Sequence, residues 1–143
     1  MSSEVENKYV IFKLDKEYYG IPIENVLSIE RARETTRIPN APDYIKGVIN
    51  LRGEVIPVID LRDKLGMKSE AFSENSRIIV VKINEIVVGL IVDSSSEVLE
   101  IDKENIDKSP INENNQFTEY ISGIGKTLDR LIVLLNLVKI LEY

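Results

Sequence analysis

The feature that most constrains the fold of this 143-residue chain is an internal repeat. Residues 9–24 align without a gap on residues 78–93 at an offset of 69, and most apolar positions coincide. Residues 44–65 align on residues 120–141 at an offset of 76, with six identical residues. The two blocks occur in the same order in both halves, which predicts that one small unit was duplicated. The alternative is chance similarity between β-rich segments.

Each repeat is predicted to open with two strands that form a hairpin. Residues 9–14 and 78–83 are rich in β-branched and aromatic side chains, as strands require, and they end at Asp-Lys and Asn-Glu turns. Residues 18–23 and 86–92 return from those turns as the second strands.

A second hairpin and a short helix complete the unit. Residues 47–51 and 55–59 flank a turn in which Gly53 can take a positive φ. Pro57 has no N–H to donate, so its strand is expected at a sheet edge or at a bulge. Asp60 is predicted to cap the helix that follows, and Asn136 the equivalent helix of the second copy.

Short strands with frequent turns favour small barrels or sandwiches over a parallel α/β sheet. The predicted fold class is therefore all-β with short helices, in which the internal duplication produces two small β-barrel subdomains. We expect a single domain over residues 8–143, with subdomain 1 at about residues 8–66 and subdomain 2 at about residues 77–143.

The chain contains neither cysteine nor histidine. Without them, Ser–His and Cys–His nucleophilic chemistry and nearly all zinc sites are excluded. We therefore predict a protein that is not an enzyme and that has no metal site and no cofactor. The lack of cysteine fits a reducing cytoplasm. The longest apolar run is far shorter than the roughly 20 residues of a membrane helix, so we expect a cytoplasmic protein without membrane insertion.

The formal net charge of −6 narrows the choice of partners. An acidic surface repels phosphate backbones, so nucleic acid is not an expected partner. Partner binding is predicted to be protein–protein, although a charge of this size also serves solubility.

Four segments were weighed for chemistry or binding. Gly125-Lys126-Thr127 resembles the end of a phosphate-binding loop but lacks its upstream glycine and helix. Asp60 and Asp63 are expected to serve capping and a surface ion pair. Arg52, at a hairpin tip, is either a solvated turn residue or a fixed guanidinium for a carboxylate partner. Residues 23–29 form a helical turn running into a strand, and some of their apolar side chains could line a groove.

One continuous segment carries a family resemblance. Residues 44–66, YIKGVINLRGEVIPVIDLRDKLG, resemble the signature of the CheW family, the coupling proteins of chemotaxis arrays. The likeness extends to residues 87–93 and 120–135. It implies two SH3-like, five-stranded barrels and a non-catalytic adaptor between the cytoplasmic tips of chemoreceptors and the regulatory domain of the histidine kinase CheA. It also implies association with membrane-bound receptor arrays through these partners.

The resemblance also implies two sets of binding residues. Receptor binding in the family uses a groove between the barrels, which here implicates Ile23, Val26, Ile29, Gly47, Arg52, Val98 and Leu99. Contacts with the kinase fall at Ile38, Pro110, Ile111 and Asn112.

The sequence departs from the CheW family pattern at two places, and two other functions are alternatives to a stand-alone adaptor. Ser28 stands where some relatives carry a glutamate that pairs with the hairpin arginine, with Glu30 close by, and residues 94–96 replace a stretch that is often apolar. The chain could be a CheW-like regulatory module of a larger chemotaxis protein, although its start at Met1 and helical end favour a stand-alone protein. A small barrel that binds oligonucleotides or metabolites is disfavoured because the chain is acidic and lacks tryptophan.

Overall fold

The computed structural model describes residues 7–108 and 119–142, and within them it contains eleven β-strands and two short α-helices. The elements of the first repeat are β1 (Lys8–Leu14), β2 (Glu17–Pro22), β3 (Val26–Arg31), β4 (Ile45–Leu51), β5 (Glu54–Asp60) and α1 (Leu61–Lys64). Those of the second are β6 (Arg77–Ile83), β7 (Ile86–Val92), β8 (Ser94–Glu100), β9 (Ile106–Asp107), β10 (Ile121–Lys126), β11 (Leu131–Leu135) and α2 (Leu137–Ile140).

The strands form two sheets, and each sheet takes a hairpin from the other repeat. One sheet has the order β3-β6-β7-β5-β4, and the other has the order β8-β1-β2-β11-β10-β9. The opening hairpins β1–β2 and β6–β7 have therefore changed places. The chain divides into a continuous unit, Val26–Ser94, and a split unit made of the residues up to Asn25 and those from Ser95 onward.

These units correct the predicted subdomain boundaries. Subdomains at residues 8–66 and 77–143 would each keep their own opening hairpin, whereas the observed units exchange them. The alignment identifies which segments are alike, but two like hairpins can pair with either closing hairpin. The predicted fold class, all-β with short helices, is confirmed.

The paired residues of the two sheets occupy equivalent positions of the repeat. β5 runs parallel to β7 with Val58 opposite Gly89, and β11 runs parallel to β2 with Leu134 opposite Gly20. A Cβ added to Gly89 would lie 2.6 Å from the Ile78 Cγ2 atom. A Cβ added to Gly20 would lie 3.1 Å from the Leu134 Cδ2 atom of β11. Gly89 thus leaves room for a side chain of its own hairpin, and Gly20 for one of the parallel strand.

The closing hairpins also match in detail. β4 and β10 carry a register shift at the same place of the repeat, before Gly47 and Gly123. The Asp60 side chain accepts a hydrogen bond from the Arg62 N–H at 3.1 Å, and Asn136 accepts one from the Lys139 N–H at 3.2 Å. Both predicted helix caps are therefore confirmed.

Each sheet closes into a barrel through the chain that leaves its third strand. After β3, Thr36 forms an antiparallel bridge with Val48 of β4, at the other edge of the sheet. After β8, β9 pairs with β10 through Asp107 and Ile124, the position equivalent to Val48. The short β9 raises the strand number of the split unit to six, against the five predicted.

The prediction that the strand of Pro57 lies at a sheet edge or at a bulge is wrong. This strand, β5, lies between β7 and β4, and the bulge is in β4. Val48 stands opposite Pro57 but exchanges both of its backbone hydrogen bonds with Thr36, at 2.9 Å each. Val48 and Pro57 are therefore a non-hydrogen-bonded pair. The parallel pairing with β7 begins only at Val58, so proline breaks no ladder hydrogen bond.

Apolar burial stabilises the exchanged arrangement, since both cores combine side chains from the two repeats. The cluster in the continuous unit comprises Ile49, Leu51, Ile56, Val58, Ile78, Val80 and Ile91, and that in the split unit comprises Ile11, Ile101, Ile132 and Leu134. Each fully buried side chain of this kind contributes about 1.5–3 kcal/mol. Within the described ranges, no helix is long and apolar enough to cross a membrane.

The exchange predicts which fragment folds alone. Residues 26–94 contain all five strands of their sheet, so this fragment should show a β-type circular dichroism spectrum and a cooperative thermal transition. Residues 8–66 lack β6 and β7, the interior of that sheet, and should show neither. A cooperative transition for residues 8–66 together with an unfolded 26–94 fragment would contradict the exchange.

Candidate functional site

The β4–β5 hairpin presents an arginine in an unusual backbone conformation. Arg52 has φ 52° and Gly53 has φ 88°, the pair of positive values that defines a type I′ turn. The Asn50 Oδ1 atom accepts a hydrogen bond from the Gly53 N–H at 2.9 Å. A left-handed conformation costs a non-glycine residue about 1–2 kcal/mol, and least for asparagine. Local structure therefore does not favour arginine at this position.

Among the described residues, the Arg52 side chain is held by one weak contact. Its Nη2 atom lies 3.5 Å from the Glu30 Oε2 atom on β3, and the side chain is 72% exposed. Exposed ion pairs of this kind contribute about 0–1 kcal/mol. Ser28, the position noted in the sequence, has a buried Oγ atom without a hydrogen-bond partner among the described residues. Glu30 therefore supplies the carboxylate that Ser28 lacks.

Strand β3 places its side chains on two faces. The expected helical turn is confined to a 3-10 helix at Ile23–Asn25, and Val26 begins the strand. Alternation then puts Val26 on the same half-buried face as Glu30, whereas Ile29 lies on the exposed face. The exposed face also carries Leu27, which the sequence analysis did not select.

Gly47 occupies a position that excludes any side chain. Its φ is +148°, and a Cβ would lie 2.2 Å from the Thr36 carbonyl oxygen. The chain between β3 and β4 crosses here, at the bridge that closes the barrel. Gly47 therefore supports the closure of the continuous unit rather than offering a contact surface.

The remaining predicted receptor residues lie in the split unit. Val98 is exposed on β8, whereas its neighbour Leu99 packs against the apolar core and Ile23 is half-buried. The predicted receptor set is thus distributed over both units, and Arg52 is joined within the continuous unit to the strand that carries Val26 and Ile29.

Of the predicted kinase contacts, only Ile38 falls within the described residues. It lies between the Thr36–Val48 bridge and β4, with 44% of its surface exposed. Pro110, Ile111 and Asn112 lie outside the described residues.

The split unit contains an ion pair that no sequence pattern indicates. The Arg130 guanidinium donates two hydrogen bonds to the Glu97 carboxylate on β8, at 2.6 and 3.0 Å. Its Cζ atom lies 4.5 Å from the ring centroid of Tyr18 on β2. The hydrogen bonds from Arg130 lower the pKa of Glu97 below its ordinary value, and the same contact raises the pKa of Arg130.

A second such ion pair lies in the continuous unit. Arg62, which lies between Asp60 and Asp63 in the sequence, is buried and donates to both carboxylate oxygens of Asp93, at 2.9 and 2.6 Å. It also donates to the Lys68 carbonyl oxygen at 3.0 Å, which ties the chain after α1 to the end of β7. Charges so far apart in sequence leave no periodic signal that could have identified this pair.

Nothing in the described part of the chain points to metal or nucleotide chemistry. No group of three or more acidic side chains there could hold a metal ion. The Gly125-Lys126-Thr127 segment ends strand β10 and enters a turn, so it lacks the helix that a phosphate-binding loop requires.

Comparison with known proteins identifies the family. A family model described as a CheW-like domain matches residues 8–143. The chain belongs to the CheW family. Chemotaxis protein CheW of Klebsiella aerogenes is 40% identical over 96% of this chain and 83% of the relative, and that of Bacillus subtilis is 33% identical over 99% and 92%. The crystal structure of the scaffolding protein TtCheW from Thermoanaerobacter tengcongensis superposes with a TM-score of 0.84 and 38% identity, covering 96% and 88% of the two chains.

Membership of the CheW family decides the class of function. The chain is a non-catalytic chemotaxis coupling adaptor, as its resemblance implied. An oligonucleotide- or metabolite-binding barrel, the alternative from another class, finds no support among these relatives.

The Glu97–Arg130 pair predicts a pH-dependent stability. The pKa of Glu97 is lowered in the folded protein. The stabilisation from the ion pair is therefore complete above the pKa of a glutamate in the unfolded chain, about 4.3, and is lost as the pH falls through the lowered pKa of the folded protein. Glu97→Gln should lower stability by about 1 kcal/mol at pH 7 and by much less at pH 3. Thermal unfolding at both pH values measures this. Glu100→Gln, an exposed change on the same strand, is the control, and an equal loss at both pH values for Glu97→Gln would contradict the prediction.

Proposed function

We propose that this CheW-family protein binds the cytoplasmic tips of chemoreceptors with one set of residues and the regulatory domain of CheA with another. One observation carries the receptor half of the proposal. An arginine stands in a backbone conformation that disfavours it, at an exposed hairpin tip, and its side chain makes a 3.5 Å contact with Glu30. Residues that retain such a cost without a local benefit are typical of functional sites.

The proposed receptor surface comprises the residues implied by the family, namely Ile23, Val26, Ile29, Gly47, Arg52, Val98 and Leu99. Exposed apolar side chains with an arginine beside them are what interface centres commonly use. Within the continuous unit, Ile29 supplies exposed apolar area and Arg52 supplies the cation; within the split unit, Val98 is an exposed apolar residue. Gly47 contributes indirectly, through the barrel closure that it permits.

Arg52 acts by exchanging its carboxylate partner. Glu30 restrains the guanidinium in the free protein, and a carboxylate of the receptor replaces or joins it in the complex. A bidentate pair that loses its water on binding is stronger than the exposed contact it replaces. The exchange thus favours a receptor that offers an acidic group at this position.

Arg52→Asn separates this role from folding. Asparagine tolerates the left-handed conformation better than arginine, so the thermal midpoint should stay equal or rise. Affinity for a receptor hairpin fragment, measured by calorimetry, should fall about tenfold, or about 1.4 kcal/mol. Lys16→Asn removes an exposed cation from another hairpin turn and is the matched control. Unchanged affinity of Arg52→Asn, or an equal loss in the control, would refute the site.

The proposed kinase surface comprises Ile38, Pro110, Ile111 and Asn112. Support comes from Ile38, which is exposed in a segment held at one end by the Thr36–Val48 bridge and at the other by β4. A fixed aliphatic side chain loses little conformational freedom on binding. Since the proposed receptors and CheA meet at the cytoplasmic face of receptor arrays, the protein works there without membrane insertion.

Calorimetric titration with the CheA regulatory domain tests this half of the proposal. Saturable one-to-one binding is expected, and Ile38→Asp should weaken it at least tenfold, because a buried isoleucine contributes about 1.5–3 kcal/mol. Ile86→Asp is the matched control, since Ile86 belongs to the same unit and is also 44% exposed. No binding by the unmodified protein at high micromolar concentration would refute the kinase contact.

A further inference from the structure

The two repeats each place an arginine of the closing hairpin against a glutamate of the third strand. In the continuous unit these are Arg52 and Glu30 of β3, and in the split unit they are Arg130 and Glu97 of β8. We propose that the Arg130–Glu97 pair is a clasp that holds β8 in place for receptor binding. This inference rests on the proposed receptor function and makes Arg130 and Glu97 positioning residues rather than contact residues.

The clasp joins three separate parts of the split unit. Glu97 belongs to β8, Arg130 follows the turn after β10, and the Tyr18 ring beneath the guanidinium belongs to β2. In the order of the described strands, β8 stands at one end of its sheet beside β1, whereas β11 and β2 are interior. The contact therefore fastens an end strand to the interior of the barrel.

The arginine end of the clasp is rigid. The Thr127 N–H donates to the Arg130 carbonyl oxygen at 3.0 Å, and the Arg130 N–H donates to the Thr127 Oγ1 atom at 3.1 Å. The turn is closed by these two bonds. Since the backbone of Arg130 is fixed, its side chain can restrain the strand that carries Glu97.

The corresponding pair in the other unit is loose. Arg130 is 21% exposed and makes two hydrogen bonds, whereas Arg52 is 72% exposed and makes one contact at 3.5 Å. The offset of the repeat aligns Glu97 with Ser28, so the carboxylate kept on β8 is absent at the same place on β3. The two arginines are not equivalent either, since the offset of 76 aligns Arg130 with Glu54 and Arg52 with Leu128. The closed pair is therefore a feature of the split unit alone among these two pairs.

Val98 and Leu99 follow Glu97 directly on β8. The start of the strand is fixed by another bond, from the Ser95 Oγ atom to the Ile11 carbonyl oxygen at 3.2 Å. Just past its end the Ile101 N–H donates to the Asn7 carbonyl oxygen at 2.7 Å, and Glu97 is a side-chain anchor between these two bonds. Loss of the clasp therefore leaves β8 paired with β1 but loosens the part of the strand that bears the proposed receptor residues.

Affinity and hydrogen exchange of Glu97→Gln together test the clasp. Relative to the unmodified protein, affinity for a receptor hairpin fragment should fall about fivefold while affinity for the CheA regulatory domain stays within twofold. Amide exchange should accelerate in β8 and remain unchanged in the continuous unit. Glu97→Asp, which keeps the carboxylate, should recover most of the affinity, and Glu100→Gln should behave as the unmodified protein.

The outcomes separate the clasp from the receptor function. Unchanged exchange in β8, or unchanged receptor affinity of folded Glu97→Gln, overturns the clasp. An equal loss of affinity for both partners also overturns it, because that result reports general destabilisation. If the unmodified protein does not bind the receptor fragment, the proposed function fails. Arg130→Lys, which keeps the charge but loses the paired hydrogen bonds, serves where Glu97→Gln does not fold.

Discussion

The parallel pairing of β5 with β7, and its counterpart between β11 and β2, is the contact on which both barrels depend. Each pairing joins the closing hairpin of one repeat to the opening hairpin of the other, and neither sheet is complete without it. Gly20 leaves room for Leu134 of β11 and Gly89 leaves room for Ile78 of β6, and the apolar clusters then bury side chains from both repeats. The candidate binding residues lie on strands and turns that this framework supports.

Local features of the fold were predictable because local chemistry determines them. Gly53 identified a tight turn, and Asp60 and Asn136 identified helix starts, since each acts through its own neighbours. The exchange of hairpins was not predictable in the same way. Both opening hairpins have the same apolar pattern, so the sequence does not distinguish their two possible partners, and only the packed structure does.

The same distinction between local and long-range contacts applies to the candidate site. Arg52 could be selected because a charged residue at a predicted turn has no packing role. Its partner Glu30, and the Arg130–Glu97 pair, required the structure, because these contacts join residues far apart in the chain, 33 positions for the second pair. The helical turn running into a strand over residues 23–29 was predictable, but the side chains that β3 exposes, Leu27 beside Ile29, follow from its pairing in the sheet.

The interleaved order of the strands has a consequence for synthesis on the ribosome. The hairpin β1–β2 emerges first, yet its neighbour β11 is among the last segments made. The continuous unit is complete once Ser94 has emerged, so it can fold while the chain is still growing. The first hairpin must wait throughout that time with both of its edges uncovered, because β8 and β11 are made later, and the earliest part of the chain is therefore the last to reach its final place.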